Sequence, residues 1–80
     1  MKTPRELRDQ IKDNLYSLDL TKSDIEDFIK GAYREYPHET QEKSILAFSD
    51  ICQAIAEMGN CLAKIEIVVS EDTFRSRETV

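Results

Sequence analysis

Cys52, Cys61 and His38 are the side chains best suited to covalent or metal chemistry, and their spacing argues against both. A thiolate nucleophile needs a base within hydrogen-bond reach. His38 sits beside Pro37 in a turn. If a helix follows it, Cys52 is roughly 18–20 Å away along the axis, and Cys61 is farther still. The two cysteines are about 900° of helical rotation apart, on nearly opposite sides and roughly 13 Å apart along the axis. They cannot bridge each other or share a metal while the helix is intact, so reduced thiols are the expectation. One histidine and two opposed cysteines do not make the close cluster that zinc requires. His38 reads as a polar loop residue or part of a helix cap.

Other constellations are weaker. Asp19-x-Thr21-x-Ser23-Asp24 echoes a calcium loop, but Asp24 stands where glycine is required and Lys30 where glutamate is required. Asp24, Glu26 and Asp27 suit the first turn of a helix, and Glu71-Asp72 a solvated face. No glycine pattern cradles a phosphate. The C-terminal Glu78-Thr79-Val80 has its threonine one place off the commonest carboxylate-capture pattern. The sequence therefore predicts no enzyme, no cofactor and no metal. Phe28 and Tyr33 have core spacing, whereas Tyr36, beside Pro37 and His38, is as well placed for a partner as for the core.

The elements that must position these residues are helical. Two glycines, two prolines and 34% charged residues in 80 point to one all-α domain. Thr3, Pro4 and Glu6 form a capping box with proline at the first helical position. Leu7, Ile11, Leu15 and Leu18 follow on one face, and Arg5, Arg8, Asp9, Lys12 and Asp13 on the other. Asp19-Leu20-Thr21-Lys22 reads as a turn, and Ser23 with Glu26 as a second capping box. Ile25, Phe28, Ile29, Ala32, Tyr33 and Tyr36 make the second helix amphipathic up to Pro37, and Gly31 leaves room for a close crossing.

The third helix is predicted from His38–Thr40 to about Ser70. Its apolar residues fall at Phe48, Ile51, Ile55, Met58, Leu62, Ile65 and Val69. Alternate steps of three and four are a heptad seam. Ala47, Ala54, Cys61 and Val68 flank it on one side, and Ile45, Cys52, Gly59 and Glu66 on the other, with Ala56 and Ala63 beyond. This arc is too wide for one neighbour. The expected architecture is a short two-helix hairpin packed on a long third helix, dimerising through Phe48, Ile51, Ile55, Met58, Leu62 and Ile65. A rival reading ends the helix at Gly59-Asn60 and places a strand at about 63–69, where Ile65-Glu66-Ile67-Val68-Val69 is rich in β-branched residues. Residues 1–70 would form the domain and 71–80 a flexible tail.

Net charge is −5. Residues 38–72 hold Lys43 and Lys64 against Glu39, Glu42, Asp50, Glu57, Glu66, Glu71 and Asp72, which disfavours direct nucleic-acid binding. No apolar run approaches a membrane span, and Met1–Glu6 lacks a signal-peptide core, so a cytoplasmic protein is expected. The functional expectation is a small non-enzymatic regulator or adaptor. It would bind itself and another protein, with Tyr36, His38, Glu39 and Glu42 as a candidate partner patch. The alternatives are an acidic decoy for a nucleic-acid-binding cleft, using Glu39, Glu42, Asp50 and Glu57, and a secretion-type chaperone shielding a partner helix.

Overall fold

The computed structural model describes residues 1–32 and 35–78. Two helices, α1 (Pro4–Ala32) and α2 (His38–Glu78), pack side by side as one antiparallel hairpin measuring 65 × 19 × 14 Å. The chain is all-α, and no described residue is in a strand.

α1 begins as its sequence requires. The Glu6 amide donates to Thr3 Oγ1 at 3.2 Å, the Thr3 hydroxyl donates to Glu6 Oε1 at 3.2 Å, and the Leu7 amide donates to the Thr3 carbonyl at 3.0 Å. Pro4 takes the first helical position, where its missing N–H costs nothing.

The turn expected at 19–22 does not form. α1 runs straight through it, so the two short helices are one helix of 29 residues. Asp19-Leu20-Thr21-Lys22 contains neither glycine nor proline, and the weak helix preference of Asp and Thr costs only a few tenths of a kcal/mol each. The Thr21 hydroxyl donates to the Ser17 carbonyl at 3.0 Å inside the helix. Ser23 is therefore mid-helix rather than a cap, and Asp24, Glu26 and Asp27 are not in a first turn. A continuous seam drives this outcome. Pro4, Arg8, Ile11, Leu15, Leu18, Lys22, Ile25 and Ile29 are all half-buried, at alternate steps of four and three. Lys22 bridges the two halves, with its Nζ 5.9 Å from the Phe48 ring centroid. Arg8, expected among solvated residues, lies in the seam, whereas Leu7 is 38% exposed at its edge.

α1 ends at Ala32, and Tyr36 belongs to the connection, because the residue before a proline is pushed out of helical space. Tyr33 lies outside the described residues. α2 starts at His38, with the Gln41 amide on the Pro37 carbonyl at 3.1 Å and Gln41 Nε2 on the Tyr36 carbonyl at 2.8 Å. It then continues for 41 residues. Residues 63–69 are helical, not a strand, and neither glycine has a positive φ. The heptad carries helical phase across Gly59, and a lone strand would find no edge to pair with. The helix also passes the expected end at Ser70 and runs to Glu78, through part of the segment read as a tail.

The interior is thin. Phe48, Ile51, Ile55, Met58, Leu62 and Ile65 are each half-buried against α1. Val69, at 8% exposure, is the one buried residue among those described. The radius of gyration is 18.5 Å, against about 12 Å for a compact domain of this length.

Candidate functional site

Heptad geometry divides each helix into columns. α2 sends its charges to one of them. Lys43, Asp50, Glu57, Lys64 and Glu71 recur every seventh residue, and all are exposed. Between Lys43 and Glu71 only Glu66 lies outside that column. α1 covers the seam through Phe48, Ile55, Leu62 and Val69. The flank carrying Ser49, Cys52, Ala56, Gly59 and Ala63 is only partly covered by α1: Ser49, Ala56 and Ala63 are exposed, and Cys52 and Gly59 half-buried. A Cβ built on Gly59 meets nothing within 4 Å. The same holds at Gly31, so the close crossing envisaged there does not occur within one chain.

Large apolar side chains remain in water along both helices. Tyr16 is 67% exposed, Leu46 63%, Phe74 63% and Ile67 59%. The total accessible surface is 6496 Å². A folded monomer of 9.3 kDa exposes about 5,000 Å², so the hairpin carries an excess of roughly 1,500 Å².

The corner between the helices gathers part of the expected partner patch. The Phe28 and Tyr36 rings meet at a centroid distance of 5.3 Å and a 53° tilt. With Ile29, Thr40, Gln41, Ser44 and Ile45 they line a small apolar groove. The His38 Nε2–Glu42 Oε1 distance is 3.0 Å, an i,i+4 pair when the imidazole is protonated, and Glu39 lies in the same first turn. His38 is exposed. Ser44 returns its hydroxyl to the Thr40 carbonyl at 2.8 Å, an ordinary helical back-bond.

The thiols stay apart. Cys52 is half-buried and Cys61 exposed, and both are unbridged. Among the described residues no three His, Cys, Asp or Glu side chains converge as a metal site would require. No helix is long and apolar enough to cross a membrane, again among the described residues. Titration is perturbed at a surface pair. Lys30 and Glu26 meet at 2.9 Å, and their hydrogen bond and mutual attraction lower the Glu26 pKa and raise that of Lys30. Both groups lie in water, and the pairing is ordinary helix-surface chemistry.

The α2 stripe read from the sequence lies against α1, and His38 and Glu42, grouped there with Tyr36 and Glu39 as a partner patch, come together at the corner. Sequence reasoning missed the charge column of α2 and the seam through α1. Counting charged residues at seven-residue intervals reveals the first; treating Lys22 and Arg8 as amphipathic stems rather than surface charges reveals the second.

Comparison with protein-family models, with curated proteins and with solved structures yields no match to this chain.

Proposed function

We propose that this chain is a small non-enzymatic regulator or adaptor that acts by binding protein through helical surfaces, and that its working form is a homodimer. The observation that carries the proposal is the surface excess of roughly 1,500 Å² over a compact monomer. Covering that area on each of two chains gives a total interface of roughly 3,000 Å², within the range of obligate homodimers. With Val69 the one buried residue among those described, the hairpin lacks the core that independent folding demands, and a second copy is the simplest source of it. The corner around Phe28, Tyr36, His38, Glu39 and Glu42 is then left for a different protein.

The acidic-decoy reading draws less support. The exposed column of α2 mixes Lys43 and Lys64 with Asp50, Glu57 and Glu71, which dilutes the field a basic cleft would sense. The chaperone reading predicts a monomer that gains helix only when a partner helix is added.

The test is light scattering and sedimentation equilibrium on the full chain, with helicity followed on dilution. A dimer at micromolar concentration whose helicity falls on dilution is the expected result. A fully helical monomer at that concentration overturns the dimer.

A further inference from the structure

We propose that the homodimer is an end-for-end stack of two hairpins, joined through the flank that carries Arg5, Lys12, Asp19 and Glu26 of α1, with its two-fold axis at the level of Tyr16 and Gly59. The inference rests on the dimer proposed above and specifies its face and direction.

The flanks are distinguishable. In an antiparallel helix pair, like flanks of the two heptads meet. Arg5 donates to Thr73 Oγ1 at 3.3 Å, which ties the Arg5 column of α1 to the side of α2 bearing Cys52 and Gly59. On that side the α1 column reads Arg5, Lys12, Asp19, Glu26, every seventh residue: two positive charges, then two negative. Reversed end for end it reads two negative, then two positive. A second copy laid antiparallel sets Arg5 against Glu26 of the partner subunit and Lys12 against Asp19 of the partner subunit. A copy laid parallel over the same column sets like against like. Flanking charges of this kind decide partner orientation.

The α2 column on the same flank has its own symmetry. Ser49, Ala56, Ala63 and Ser70, every seventh residue, are small, and the column beside them holds Cys52, Gly59 and Glu66. Reversal about the level of residues 59 and 60 brings Ala56 onto Ala63 of the partner subunit and Ser49 onto Ser70 of the partner subunit, sets Gly59 within one residue of its own copy, and places Glu66 opposite Cys52 of the partner subunit. Small side chains let two helix axes approach closely, and the open space around the Gly59 Cβ position leaves that approach unobstructed within the chain.

The two centres coincide. The charge column is centred between residues 15 and 16, and the small column Ser49, Ala56, Ala63 and Ser70 between Gly59 and Asn60. Arg8 lies beside Val69 at one end of the hairpin, and Ile29 beside Ser44 at the other. Interpolating between them brings residues 15 and 16 level with Gly59. Two columns on different helices are therefore self-complementary under end-for-end reversal about one level of the hairpin, which a two-fold axis requires and an isolated hairpin does not. Tyr16, 67% exposed at that level, supplies the large apolar side chain that an axis-centred contact would bury.

Two measurements on the full chain test this. Sedimentation equilibrium comes first: absence of a dimer removes the homodimer reading itself, and the stack with it. Given a dimer, R5E/K12E makes the column all negative and D19K/E26K makes it all positive. Each alone should self-associate at least tenfold more weakly at low salt, and an equimolar mixture should restore a heterodimer of wild-type strength. Wild-type affinity in both variants separately overturns the proposed face. Orientation is read without touching the charges, by a spin label at F74C in a C52S/C61S background. An end-for-end dimer places the two labels about 45 Å apart, twice the rise over fifteen residues. A label distance below about 25 Å signifies parallel hairpins and overturns the stack.

Discussion

Gly59 offers a substitution whose sign depends on whether α2 has a close neighbour. In the single hairpin, Gly59→Ala adds a Cβ into open space, in a helix without positive φ. The gain is the helix-propensity difference, about 0.8–1 kcal/mol. For a domain of this size, that raises the melting temperature by about 4–8 °C. In the end-for-end dimer the two added methyl groups meet across the axis, and overpacking of this kind costs about 1–3 kcal/mol. Gly59→Ala should therefore stabilise the dissociated hairpin while weakening self-association about five- to 150-fold. Gly31→Ala is the control, since its Cβ also meets nothing within 4 Å and it lies away from the proposed face. The assay is urea unfolding by circular dichroism at two protein concentrations about a hundredfold apart, a range over which association changes stability by about 2.7 kcal/mol. Gly31→Ala should raise the midpoint at both concentrations, and Gly59→Ala only at the lower one. Equal gains for both variants at both concentrations would refute a close approach at residue 59.

Ile55→Asp places a carboxylate in the seam against α1 and should cost about 3 kcal/mol or more, so far-UV circular dichroism should show loss of helix; unchanged helicity would sink the seam assignment. Lys22→Leu removes a charge from a half-buried seam position and should stabilise the hairpin by about 1 kcal/mol even after losing the contact with Phe48, read as a higher urea midpoint. Thr3→Ala deletes the N-cap acceptor of α1 and should cost about 1 kcal/mol, with amide exchange accelerated in the first turn of α1 only. The Glu26 pKa is lowered by Lys30, so the pair contributes above the ordinary carboxylate value of 4.5 and loses that contribution as pH falls through the lowered value. Helicity should decline slightly across that window in the wild type, and Glu26→Gln should remove that part of the decline.

The fold class, the start of α1 and the seam of α2 were legible because each rests on local chemistry: a capping box, a proline and an unbroken heptad. The break at 19–22 was misread because four polar or weakly helical residues resemble a turn when only intrinsic preference is weighed. Packing overrode that preference, with Lys22 in the seam as the visible sign. The strand alternative at 63–69 failed for the same reason, since β-branched residues in helical phase can pack as a helix when a long partner lies alongside. The stripe expected to form the interface between copies, Phe48, Ile51, Ile55, Met58, Leu62 and Ile65, is half-buried against α1. The candidate contact with a second copy therefore shifts to the flank beside it, which becomes visible only once α1 is in place.

The thin interior has a consequence for the lifetime of the chain. Val69 is the one buried residue among those described, so little apolar burial holds a solitary hairpin closed, and proteolysis follows the population of the open form. In the proposed dimer, covering the exposed flank would close that route, so paired copies would outlast unpaired ones and persistence would rise with concentration.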